Sequence, residues 1–149
     1  MKLNKVLVPI DYPGFGLGVL PHLTHLLDPQ KTELLLLHVM PVPESIMVNE
    51  EIVVYSDQEA ASMEEDGKLM LHPYAESLEQ LGYHVTPVVS FGDPARGIEY
   101  IAEKENVDLV AMATHGRTGF ARLLRGSVAQ HVFEHVEVPV LLDRGVEEE

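Results

Sequence analysis

The apolar residues of this chain fall into two kinds of run that alternate from end to end. Lys5–Ile10 (KVLVPI), Glu33–Met40 (ELLLLHVM), Val85–Phe91 (VTPVVSF), Asp108–Ala113 (DLVAMA) and Val138–Asp143 (VPVLLD) are short and almost continuously apolar. Parallel strands covered on both faces read this way, because neither side of the pleat meets water. Between them lie segments whose apolar residues recur at helical spacing: Leu17–Leu27, about Asp57–Leu81, Pro94 to about Glu105, and Ser127 to about His135.

The helix boundaries have chemical signals of their own. Leu20, Leu23, Leu26 and Leu27 form the first stripe, and Asp28-Pro29 stops it. In the second helix Met63, Leu69, Leu78 and Leu81 supply the stripe. Gly67 and Pro73 interrupt that helix, which predicts a kink or break near His72, and Gly82 supplies its C-cap. Asp93 and Pro94 make an N-cap followed by proline at the first helical position.

The order β-α-β-α-β-α-β-α-β calls for a parallel sheet with helices on both faces, built from residues 1–149 as one domain. Proline cannot donate to a ladder and belongs on edge strands. Pro87 falls in the third strand and Pro139 in the fifth, so these are the edges and the strand order is 3-2-1-4-5. Such a sheet has its switch point between strands one and four, and ligands of open α/β sheets bind in that crevice.

Composition narrows the setting. The 149 residues include no cysteine, which excludes disulfides and thiolate metal sites. The formal charge of −14 argues against a nucleic-acid or anionic-membrane partner. No apolar run approaches the roughly 18 residues of a membrane helix, and the run after Lys5 is too short for a signal peptide, so the expected location is cytoplasmic. The Pro41–Ser56 loop carries Ile46-Met47-Val48 and Ile52-Val53-Val54, a candidate lid or protein-partner surface.

Against this acidity, the stretch from Leu109 to Phe133 holds no Asp or Glu but has Arg117, Arg122 and Arg125. It reads as a buried strand, a loop with Gly116 and Gly119, and a helix opened by Gly126 and Ser127, with Ser127 as N-cap. A helix N-terminus with local positive charge suits a phosphate. Asp11 closes the first strand, on the same edge of the sheet. The Gly14–Gly18 loop is glycine-rich but spaced G-x-G-x-G, and the second strand ends on His38-Val39 instead of an acid, so a dinucleotide fingerprint is not met.

The Ala113–Ser127 stretch resembles the nucleotide-binding signature of the universal stress protein family, G-x2-G-x9-G-S/T. Here it stands as Ala113-Thr114-His115-Gly116, nine residues, then Gly126-Ser127. The likeness extends from VLVPID to VPVLL. It implies a Rossmann-like fold of the adenine nucleotide alpha hydrolase type, a homodimer paired through Val138–Asp143, and ATP as ligand with Mg²⁺ held by the phosphates. Pro9, Asp11 and Val39 would line the adenine and ribose. Met112 and Ala113 would form the floor, and Gly116, Gly126, Ser127, Val128 and Ala129 would hold the phosphates. Arg117 joins this set on charge and position alone. Two positions depart from the family pattern: Ala113 replaces its first glycine, and glycines fill the Gly14–Gly18 loop where small hydroxyl residues are commoner.

Dedicated catalytic chemistry is poorly represented. His131-Val132-Phe133-Glu134-His135 matches the H-x-x-E-H zinc pattern but lacks an evident third ligand, and reads as helix-surface histidines, as do His22 and His25. There is no G-x-S-x-G elbow and no P-loop. His115 and Asp11 are the only bases near the motif, so any ATP hydrolysis is expected to be slow. Two other readings stay open. A non-nucleotide dimeric interaction module follows if the Ala113 methyl closes the ribose site, and an adenylyl transferase would use the same fold for chemistry.

Overall fold

The computed structural model describes residues 2–11, 17–42, 47–48, 51–52, 56–113 and 128–143. Its strands are β1 (Lys5–Pro9), β2 (Glu33–Met40), β3 (Met47–Val48), β4 (Glu51–Ile52), β5 (His84–Phe91), β6 (Leu109–Ala113) and β7 (Val140–Asp143). Its helices are α1 (Leu20–Leu26), α2 (Ser56–Gln80), α3 (Pro94–Lys104) and α4 (Val128–His135), with a 3-10 turn at Leu17–Val19 leading into α1. None of the described helices is long and apolar enough to cross a membrane.

Five strands pair in parallel in the order β5-β2-β1-β6-β7, which is 3-2-1-4-5 when the strands of this sheet are counted along the chain. The proline argument holds at Pro87, which lies inside the edge strand β5 opposite Leu36. Pro139 lies one residue ahead of β7 instead of inside it, although its carbonyl still accepts the Val110 N–H at 3.0 Å. The Pro41–Ser56 loop contains a minimal antiparallel hairpin, β3 with β4, in which Met47 faces Ile52 and Val48 faces Glu51.

Alternation along the strands builds two cores. Val6, Val8, Ile10, Leu34 and Leu36 pack with Val19, Leu23 and Leu27 at α1 and with Leu71, Ala75 and Leu78 of α2. Leu7, Leu35, Leu37, Val110 and Met112 pack with Ile98, Ile101 and Ala102 of α3 and with Ala129 and Val132 of α4. Each mostly apolar strand therefore feeds both layers, and in β2 the polar residues are Glu33 at its start and a buried His38.

Helix α2 departs from the sequence reading in its buried face, and at Pro73 it runs on without the break that is one of the two expected outcomes there. Pro73 lies on the exposed side of the helix, and so does Leu69, whose carbonyl loses its helical donor. Water can satisfy that group, so the helix need not break. The buried stripe is Gly67, Leu71, Ala75 and Leu78, whereas Leu69 and Leu81 are 63% and 59% exposed. Gly67 is a close-approach point and not a breaker: a methyl there would lie 2.9 Å from Val89 Cγ2 and 3.0 Å from Met40 Sδ. The C-terminal signal is met in full. Gly82 has φ +97°, its N–H reaches Glu79 O, and the Tyr83 N–H reaches Leu78 O.

Past the carboxyl end of β5, Asp93 caps α3 by accepting the Arg96 N–H at 3.0 Å, with Pro94 next in the chain.

Candidate functional site

The pairing lengths locate the crevice. Among the described residues eight pairs join β2 to β5, five join β1 to β2, and two, Val6–Leu109 and Leu7–Val110, join β1 to β6. Among the described residues the registered pairs of these two central strands end at Leu7–Val110, and α4 starts beyond the carboxyl end of β6. The opening therefore lies at the carboxyl edge, at the switch point the strand order requires.

Register also places the candidate residues. Leu7 pairs with Val110, so Pro9 and Met112, two residues further along each strand, lie at one level. Pro9 pairs with Leu37, which puts Asp11 level with Val39. Met112, Val39, Val128 and Ala129 all belong to the α3/α4 layer, with Met112 and Ala129 buried and Val39 and Val128 half-buried at its margin. Pro9 is half-buried and Asp11 exposed. Ala113 is buried too, but in the opposite layer with Val8 and Val19. Its methyl is thus packed among the α1/α2 core residues and not beside Met112. Gly116, Arg117, Gly126 and Ser127 lie outside the described residues, as do His115 and the Gly14–Gly16 part of the glycine loop.

Two features at this edge escaped the sequence reading. Val39 and Ser90 are registered neighbours, so β5 walls the side of Val39 away from β1. His38 is the second: it is only 7% exposed, and its Nδ1 lies 2.9 Å from the Ile10 carbonyl. A polar ring inside the run ELLLLHVM was the available signal, since buried imidazoles need a partner. Where β7 ends, Asp143 is hydrogen-bonded to His22 of α1, so that histidine ties a helix to the last strand.

The histidines of α4 have structural partners. His131 Nε2 is 2.8 Å from Glu99 Oε2, and its ring stacks on His135 at 3.9 Å between centroids. Among the described residues no group of three or more His, Asp or Glu side chains is placed to hold a metal ion.

The first turn of α4 carries no acidic residue, and its N-terminus is at the crevice edge. Unpaired N–H groups and a positive dipole end there can receive an anion. Pro9, Val39 and Met112 offer an apolar wall beside Asp11, an arrangement with one polar and one apolar side.

The model of the Universal stress protein family matches residues 2–144. The chain belongs to that family. Universal stress protein MJ0577 of Methanocaldococcus jannaschii is 27% identical over 151 residues, spanning 93% of each chain. A solved structure of MJ0577 superposes with a TM-score of 0.78 at 28% identity, covering 99% of this chain and 100% of that one. A universal stress protein family protein of Arabidopsis thaliana with AMP bound has a TM-score of 0.67 at 19% identity, over 98% of this chain and 94% of that one. A universal stress protein in complex with cAMP gives 0.66 at 16% identity, over 96% and 98%. The last two share the fold with this universal stress protein.

Proposed function

We propose that this universal stress protein binds an adenine nucleotide, ATP with Mg²⁺ held by its phosphates, in the crevice between β1 and β6. The observation that carries the reading is the coincidence of the switch point with the family signature: the strand order puts the switch point at the carboxyl ends of β1 and β6, where Ala113 leads in sequence into the Gly116–Ser127 stretch. Adenine and ribose lie against Pro9, Val39 and Met112, with Asp11 toward the ribose. Gly116, Gly126, Ser127, Val128 and Ala129 hold the phosphates at the start of α4, and Arg117 adds positive charge. Packing of Ala113 in the α1/α2 layer supports this reading over a closed, non-nucleotide module. The AMP and cAMP carried by relatives of the same fold support the ligand class. Hydrolysis, where it occurs, is slow, because the described part of the crevice offers water only Asp11 as a base.

Titration calorimetry with Mg-ATP and AMP tests the reading, beside a Gly126→Asp variant that sets a carboxylate against the phosphates. Binding by the wild type that the variant loses supports it. A wild type that binds neither nucleotide overturns it.

The protein acts as a cytoplasmic homodimer in this reading, through β7 and its approach, Val138–Asp143. One side of β7 pairs with β6, and Leu142 on it is 43% exposed. An open apolar edge is an aggregation hazard that pairing with a second copy removes. Sedimentation of a Leu142→Lys variant checks this: a monomer is expected, and an unchanged dimer refutes the β7 interface.

A further inference from the structure

We propose that His38 is the positioning residue of this crevice: its Nδ1–H holds the Ile10 carbonyl and thereby fixes where β1 delivers Asp11. The inference rests on the nucleotide reading for its consequence but on independent geometry for its cause. Thr32 and His38 are buried polar residues, and each ties β2 or its approach to a residue flanking β1. Thr32 Oγ1 donates to Leu3 O at 2.6 Å at the amino end, and His38 Nδ1 lies 2.9 Å from Ile10 O at the carboxyl end. A carbonyl can only accept, so Nδ1 carries the proton.

The two peptide units that flank the Ile10 Cα are thus held by two successive residues of β2. Its N–H donates to Leu37 O at 2.7 Å, and its carbonyl receives the His38 ring. The Ile10 carbonyl belongs to the Ile10–Asp11 peptide, so a rotation of that plane swings Asp11 directly. The ring itself does not join the ligand wall. By strand alternation His38 shares the face of Leu34 and Leu36, in the α1/α2 layer, whereas Val39 and Met112 lie in the α3/α4 layer. His38 therefore acts through the backbone and not by touching the nucleotide.

Substitutions separate the two ring nitrogens. The Asn amide nitrogen occupies the place of Nδ1, the Gln amide nitrogen that of Nε2, and Leu offers volume without a donor. Calorimetry with AMP is expected to give His38→Asn affinity within about threefold of wild type, and His38→Leu and His38→Gln a loss of about tenfold or more, the scale on which misplaced polar contacts cost binding. The Asp11 amide resonance of the ligand-free protein should move in the Leu and Gln variants and stay near its wild-type position in Asn. Thermal melts confirm that each variant is folded.

Rescue by Gln and not Asn would overturn the proposal, since it assigns the role to Nε2. Equal affinity in all three variants, with Asp11 unmoved, would also overturn it. A wild type that binds no AMP while the Asp11 resonance still follows the donor would overturn the nucleotide reading alone.

Discussion

One carboxylate ties the two central strands, β1 and β6, at their amino ends. Asp108 stands just ahead of β6, and its Oδ2 accepts the N–H groups of both Asn4 and Lys5 at 2.9 Å. Its own N–H donates to Lys5 O at 2.8 Å, so the amino ends of the two strands are clamped in both directions. Asp108→Ala removes two charge-assisted bonds. The Asn4 bond is exposed and water replaces most of it, about 0.5 kcal/mol; the Lys5 bond is part-buried and worth about 1.5 kcal/mol, for a loss near 2 kcal/mol. With 149 residues the unfolding entropy is about 0.3 kcal/mol/K, so the melting temperature should fall by about 6 °C. Asp108→Asn keeps an acceptor without the charge and should fall by about half as much. Differential scanning calorimetry reads both. A drop below about 2 °C for the alanine variant would refute the clamp. Nucleotide affinity well below the melting point should be unchanged, because the clamp lies at the opposite end of these strands from the crevice.

Three further outcomes follow from packing and ionisation. Leu71→Ala, at a fully buried position on α2, should cost about 2–5 kcal/mol in urea unfolding, and Leu69→Ala on the exposed side of the same helix under about 0.5 kcal/mol. Gly82→Ala forces a methyl into a backbone with φ +97° and should cost about 1 kcal/mol in the same assay. Burial, and secondarily the charge of Asp28, raise the pKa of Tyr83 above its usual 10.0. Its hydroxyl donates to Leu27 O at 2.9 Å. Above pH 10 the unfolded chain therefore releases this proton first, so stability present below pH 10 is lost as pH rises towards the folded pKa. Tyr83→Phe should be less stable at neutral pH but show a shallower decline above pH 10 in pH-dependent melts.

The sheet was legible because its strands are nearly pure signals. Glu33–Met40 is read from sequence with the boundaries the structure has, since eight apolar-rich residues between a turn and a proline admit little else. Pro87 carries strand order, information that periodicity alone lacks. The face of α2 was misread because its real stripe relies on Gly67 and Ala75, which bury backbone and small side chains and so look neutral in a hydrophobic pattern. Leu69 and Leu81 drew the eye instead. The β3–β4 hairpin escaped notice because Val48 and Glu51 are joined by Asn49-Glu50, without the glycine that marks tight hairpin turns. Of the candidate site, Pro9, Val39 and Met112 were placed by motif and converge by register, but His38 carries no motif and only its burial exposes it.

Among the described residues β2 and β5 share eight registered pairs, and β1 and β6 two. A 3-2-1-4-5 sheet sends its crossovers in opposite directions from the centre, so the connections after β1 and β6 diverge and leave a crevice beyond the carboxyl ends. Side chains reinforce both ends of β1. Asp108 joins the two strands at their amino ends, and His38 fixes the end of β1 to β2, the strand that is itself in register with β5 over its whole length. Asp11 is thus delivered by a strand whose last residues are anchored to β2. A ligand seated between β1 and α4 would add, through its own contacts, a further connection across that edge.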